Sequence, residues 1–165
     1  MKSHFSMMAR YNAWANTRVY EMAGAIPDES YRRDAGVYFK SLHGTLNHLL
    51  VTDRIWMRRL TGIGEHPDRG DAILFDDFAS LQAARTAEDA RIVDFVDGLD
   101  EADMAQLRDF STLNGTPYRQ PLHEILAHLF NHQTHHRGQA HAILTAAGVT
   151  EPEPLDLLIM QRFPK

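Results

Sequence analysis

The stretch Pro121-Leu-His-Glu-Ile-Leu-Ala-His-Leu-Phe-Asn-His-Gln-Thr-His-His-Arg-Gly-Gln-Ala-His-Ala-Ile-Leu-Thr-Ala-Ala-Gly148 decides how the chain is read. Proline suits the first position of a helix, and glycine suits the position just past its end. The spacing therefore predicts a helix from Pro121 to Ala147. On a wheel of about 100° per residue with Leu122 at zero, Leu126, Leu129, Gln133, Ala140, Leu144 and Ala147 fall within about 40° of that direction. Ile125 and Ile143 lie near about −60° and Phe130 near about +80°, which completes a buried stripe. His136 falls near about −40° and His132 near about −80°, on the inward side. His128 and His135 lie on one margin, at about −120° and −140°, and His123 and His141 on the other, near about +100°.

Residues four apart on a helix sit one above the other. Two imidazoles so placed can both reach one ion at about 2.0–2.1 Å. The pair His132/His136 satisfies this spacing, and so does His128/His132. The wheel alone does not choose between them, and a pair of satisfied core histidines would show the same pattern.

Three further segments have helical periodicity, separated by Gly-, Pro- and Asp-rich breaks. The first runs from about Ser3 to Ala25, before Pro27-Asp28. The second runs from about Phe39 to Thr61, before Gly62 and Gly64, with Leu42, Leu46, Leu49, Trp56 and Leu60 on one face. The third is capped by Asp76 or Asp77 and runs to about Val96, before Gly98. Between Ala105 and Gln120, Asn114-Gly115 flanked by extended runs predicts a hairpin, which Pro117 keeps short. A short terminal helix is expected at Leu155–Gln161. Four long amphipathic helices predict an all-α fold, a four-helix bundle with a hairpin before its fourth helix.

The composition narrows the function. The 165 residues fit one domain, residues 1–165, and need no covalent staples. There is no Cys, which excludes disulfides, thiolate zinc sites and a Cys nucleophile. The net charge of −5 lacks the basic excess of a nucleic-acid binder. No apolar run is long enough for a membrane span, and no apolar leader is visible, so a soluble cytoplasmic protein is expected. Of ten His, six lie between His123 and His141.

Two His need a third ligand from another helix. In the second helix His48 lies near about −120° from Leu42, at the edge of the apolar face, and His43 near about +100°, outside it. Asp53 lies near about +20°, among the leucines. A carboxylate there must be paired. It reads either as a buried salt bridge, to Arg137 or Arg18, or as the partner that orients a ligand histidine. His123 to His128 spans one residue too many for the helical zinc-protease motif, and no Glu precedes a His by three, as the di-iron bundles require. Neither Gly-x-Ser-x-Gly nor a P-loop occurs.

The residues reached so far resemble the DinB/YfiT-like superfamily of metal-binding four-helix bundles. Three stretches carry the resemblance: Tyr11-Asn12-Ala13-Trp14-Ala15-Asn16; His48 with Asp53 and Trp56; and Asn131-His132-Gln133-Thr134-His135-His136-Arg137-Gly138-Gln139. It covers about Phe5 to Gly148. It implies a metal triad of His48, His132 and His136, and so selects the His132/His136 pair. His135 is then a surface residue of capping, dimer-facing or supporting role. Three neutral imidazoles leave an ion with open positions, the pattern of catalytic rather than structural sites. Such an ion generates hydroxide from water or holds a thiol as thiolate. The family includes thiol-dependent S-transferases and a thiol-dependent isomerase. The resemblance thus implies metal-activated chemistry on a small molecule, by an S-transferase or a hydrolase. Zn²⁺ is the first choice of ion and Ni²⁺ the second. Any thiol must be a low-molecular-weight cosubstrate, and a homodimer is expected. The alternative is a non-catalytic metal-binding or dimerising bundle. Asp53, Asn12, Asn16, Gln133 and Arg137 are the candidates to support the ligands or line the pocket.

Overall fold

The computed structural model describes residues 1–163. Its elements are α1 (Lys2–Ala25), α2 (Asp28–Arg32), α3 (Leu42–Thr61), α4 (Phe78–Asp97), a 3-10 turn (Ala102–Ala105), β1 (Leu107–Ser111), β2 (Pro117–Pro121), α5 (Leu122–Ala146) and α6 (Leu157–Arg162). The principal contacts run α1 to α4, α4 to α3, α3 to α5 and α5 back to α1, which closes a ring of four long helices. This is the four-helix bundle that the periodicity predicts.

Local chemistry sets the boundaries. The Ser41 hydroxyl accepts from the Gly44 amide, so α3 starts at Leu42 and not at Phe39 as expected. Gly62, with φ 73°, ends it in the left-handed region and donates to the Arg58 carbonyl. Asp77 caps α4 by accepting from the Ser80 amide. Past α5, Gly148 adopts φ 101° while its amide bonds to the Thr145 carbonyl and that of Val149 to Leu144. These are the two bonds of a Schellman stop. The ribbon pairs Leu107 with Pro121 and Ser111 with Pro117. Its turn is wider than a bare Asn-Gly pair. Thr112 donates to the Thr116 carbonyl around Leu113-Asn114-Gly115, with Gly115 at φ 85°. The short helix α2 and the 3-10 turn lie in segments too brief for periodicity to expose.

The interior has three tiers. At one end Phe5, Trp56, Met57, Ile92, Val96, Leu126 and Phe130 form an apolar cluster. At the other, Val19, Tyr20, Leu42, Leu46, Leu81, Ile143 and Leu144 form a second. Between them along every long helix stand buried polar residues: Asn12 and Asn16 on α1, Asp53 on α3, Arg85 and Asp89 on α4, Gln133 and Arg137 on α5. Arg85 is 2 % exposed and lies 2.7 Å from Asp53 and 3.0 Å from Asp89, in close ion pairs. Both asparagine side-chain amides donate to Asp89 Oδ1, at 3.1 and 2.9 Å. Their carbonyl oxygens accept from Arg137, whose guanidinium also faces the Tyr11 ring at 5.3 Å. Two cations and two anions therefore share the tier. Asp53 finds its cation in Arg85, and neither in Arg137 nor in Arg18, which pairs with Glu153 at the surface. The candidate reading of α3 missed this because Arg85 is on a helix far away in sequence.

Removing one partner of a buried pair strands the other and destabilises by about 3–5 kcal/mol. Arg85→Ala, which strands both Asp53 and Asp89, is expected to lose about that much in urea unfolding. A loss under about 1 kcal/mol would show that the carboxylates are not held by this guanidinium.

Candidate metal centre

α3 and α5 are neighbours in the ring, and His48 faces His132 and His136 across their seam. Each of the three offers a ligand nitrogen, and these nitrogens all lie within 4.8 Å of one another. His48 Nε2 is 3.1 Å from His132 Nε2. Two nitrogens bound at about 2.0–2.1 Å in a tetrahedral arrangement would stand about 3.3 Å apart. The ring centroids of His132 and His136 are 4.4 Å apart, as the i,i+4 spacing requires.

Each flank of the site fixes a nitrogen. His48 Nδ1 donates to the Gly70 carbonyl at 2.6 Å, which leaves Nε2 with its lone pair toward His132. His136 Nδ1 donates to the Gln139 side-chain oxygen at 2.7 Å, which likewise frees Nε2. Orientation of a ligand imidazole by a hydrogen bond on its other nitrogen is the usual support of a metal site. His132 Nδ1 is buried without a partner among the described residues, so the polar contact of this ring is the approach of its Nε2 to His48. The donor set therefore fits a divalent ion of the nitrogen-preferring kind.

Two aromatic and backbone features close the site. Phe39 stacks on His48 with centroids 3.7 Å apart and planes at 17°, and meets His136 edge-on at 5.4 Å. It comes this near because residue 44 is glycine: a Cβ there would meet the Phe39 carbonyl oxygen at 2.1 Å. The crossing from α3 to α4 brings Gly70. Asn47 pins that crossing, accepting from the Leu74 and Phe75 amides at 2.9 and 3.1 Å and donating to the Phe75 carbonyl. His43, expected outside the apolar face, is buried and joins this knot through Nε2 to the Phe75 carbonyl. Phe39, Gly44, Asn47 and Gly70 were not among the expected site residues. Only Gln139, three residues past His136 in the quoted motif, carries a sequence signal of its role.

None of the five supporting candidates hydrogen-bonds to the three imidazoles among the described residues. Asp53 is taken by Arg85, and Asn12, Asn16 and Arg137 bond to one another and to Asp89. All are at most 2 % exposed and belong to the polar tier, because side chains on the inward stripe are enclosed by the other helices. Gln133 links the tier to the site. Its amide donates to the Leu49 carbonyl at 3.1 Å, which ties α5 to α3 one residue away from both His132 and His48. Of the remaining histidines, His123 and His141 bond backbone carbonyls of Met104 and Glu153, and His135 is exposed.

Burial pushes the His48 imidazole down to about 4 and His132 to about 3, with neighbouring imidazoles adding to the effect. Burial also lowers His136, while its bond to Gln139 opposes this. The unfolded chain takes up these protons below about pH 6.5, and the folded chain only below about 4. The native state then binds fewer protons, so stability is intact above pH 6.5 and falls as pH drops from there toward 4. Urea midpoints of chelator-treated protein should decline over this window, and His132→Gln should flatten the decline. Parallel curves for the two proteins would contradict the assignment.

Comparison with known proteins places the chain. The sequence profile of the DinB family matches residues 1–162. Protein DinB of Bacillus subtilis is 25 % identical over 151 residues, covering 84 % of this chain and 83 % of that protein. The crystal structure of a DinB-like protein from Bacillus cereus superposes with a TM-score of 0.61 at 23 % identity, covering 85 % of this chain and 90 % of that one. The fold, the three convergent histidines and the match over nearly all of the chain lead to one conclusion: the chain belongs to the DinB family.

Proposed function

We propose that this protein is a divalent-metal-dependent enzyme that acts on a small molecule by thiol S-transfer. One observation carries the reading: three neutral imidazoles, one buried and two partly exposed, converge with no fourth protein ligand among the described residues. A closed structural site would recruit four. Zn²⁺ is the first choice of ion and Ni²⁺ the second, since an all-nitrogen set suits both. When bound, such an ion lowers the pKa of a coordinated thiol or water.

The protein's own residues favour a thiol over water. Activation of water gains from a positioned general base. The inward carboxylate Asp53 is locked to Arg85, and Asp71, beside Gly70, is held by Arg69 at 2.8 Å. A thiol bound to such an ion would release its proton to solvent at neutral pH and would need no such base. With no Cys in the chain the thiol comes from a cosubstrate. The bonds to Gly70 and Gln139 leave Nε2 of His48 and of His136 free for an ion, and Phe39 covers one face of the His48 ring. A homodimer and a cytoplasmic location complete the proposal. No helix among the described residues is long and apolar enough to cross a membrane.

Untagged protein incubated with Zn²⁺ and desalted should retain one equivalent by elemental analysis, and His136→Ala should retain much less. Equal retention would refute the site. Light scattering should give twice the chain mass; a monomer would refute the dimer. A mixture of thiol and electrophile is expected to react faster with the Zn²⁺-loaded protein than with His136→Ala.

A further inference from the structure

A cleft lies beside the three-histidine seam, between the β1–β2 ribbon and α3. One cavity of about 470 Å³ is lined by residues that include Arg59, Trp56, Leu113, His128 and Gly70. Gly70 is the residue whose carbonyl orients His48, so this cavity approaches the three histidines through one shared residue. A second cavity of about 250 Å³ continues it under the ribbon, sharing Trp56, Thr112 and His128 with the first. A run of close rings connects the far end to the centre: Trp56 to His128 at 5.5 Å, and His128 to His132 at 5.9 Å.

Arg59 is the one cation of this cavity, and its wall holds no carboxylate. The guanidinium lies 4.7 Å from the Trp56 ring and 5.5 Å from that of Phe110. It pairs with no acidic side chain among the described residues, and its Nε is buried with no acceptor. Its neighbours on α3 are unlike it: Arg54 is paired with Glu65, and Arg58 bonds the Gly62 carbonyl. The acid of the second cavity, Glu124, accepts from the Gln120 side chain. A half-buried guanidinium flanked by aromatic faces and lacking a counter-ion is a ready site for a carboxylate or similar oxyanion. The lining of the cavity that holds it is mostly apolar, which suits a hydrocarbon or aryl body.

We infer that the cleft is a substrate subsite for an extended organic anion, whose acidic group pairs with Arg59 while its opposite, reacting end lies at His48, His132 and His136. Arg59 and His48 are eleven residues apart on α3, about 16 Å along the axis, and helical side chains lean toward the N-terminus. A ligand of about 10–15 Å spans the gap. The inference rests on the proposed metal centre only for the identity of the reacting end. The anion anchor stands on the geometry of Arg59.

The probes are 8-mercaptooctanoate and its neutral partner 8-mercaptooctan-1-ol, with the full-length protein. Calorimetric titration of metal-free protein should show at least tenfold tighter binding of the acid. Arg59→Met, which keeps the apolar stem over Trp56, should remove that preference, and Arg59→Lys should restore part of it. Equal binding of acid and alcohol by the unaltered protein overturns the anchor, and this comparison needs no variant. With Co²⁺-loaded protein, the acid should raise a thiolate charge-transfer band at lower concentration than the alcohol. If the calorimetric preference is present and Co²⁺ is not retained, the anchor is upheld and the metal reading fails. If Co²⁺ is retained and both thiols raise the band at the same concentration, the metal reading is upheld and the anchor fails.

Discussion

The ion pairs of Arg85 with Asp53 and Asp89 hold the rest of the molecule in place. A charge sealed among four helices is tolerated only where its counter-charges are also sealed. The apolar clusters above and below are less demanding, because leucines can repack against one another with small losses. The polar tier has no such freedom. Sliding α4 by one turn against α3 would part Arg85 from Asp53, and sliding α5 against α1 would part Arg137 from Asn12 and Asn16. The tier thus sets the register of the helices, with Gln133 extending it to α3 by its bond to Leu49. His48 meets His132 and His136 because this register allows only that pairing across the seam.

The division of labour between the tier and the site explains what the amino-acid sequence discloses. Helix period, glycine stops and the Pro121 start are local properties, so the four long helices, the ribbon and the Gly148 stop are legible. The i,i+4 spacing of His132 and His136 is local too, and His48 stands at the edge of an apolar face where a ligand to a neighbouring helix must stand. The family resemblance then selects among pairs that geometry leaves equivalent. Contacts between distant segments are not legible. Arg85 is the partner of Asp53 across more than thirty residues, and nothing in either segment names the other. Gly70 and Phe39 reach the imidazoles from loops whose course depends on Asn47 and Gly44. The inward polar residues were legible as buried, but burial on the stripe is compatible with supporting the ligands or with forming a layer of their own.

Neutral hydrogen-bond acceptors orient two of the three imidazoles here. His48 leans on a backbone carbonyl and His136 on an amide side chain. Many metal sites use a carboxylate in that position, which lends the ligand negative charge. An ion held by this centre would keep more of its own charge for whatever fills its open positions.

The Gly70 carbonyl has one further consequence. The same residue that orients His48 forms the wall of the cleft beside it. Moving this crossing would reshape the cleft and loosen the grip on the imidazole at the same time. The shape of the cleft and the aim of His48 are therefore tied at one peptide unit. The knot that Asn47 and His43 tie at Leu74 and Phe75 braces that crossing, so a substitution there would be felt by the cleft and by His48 together.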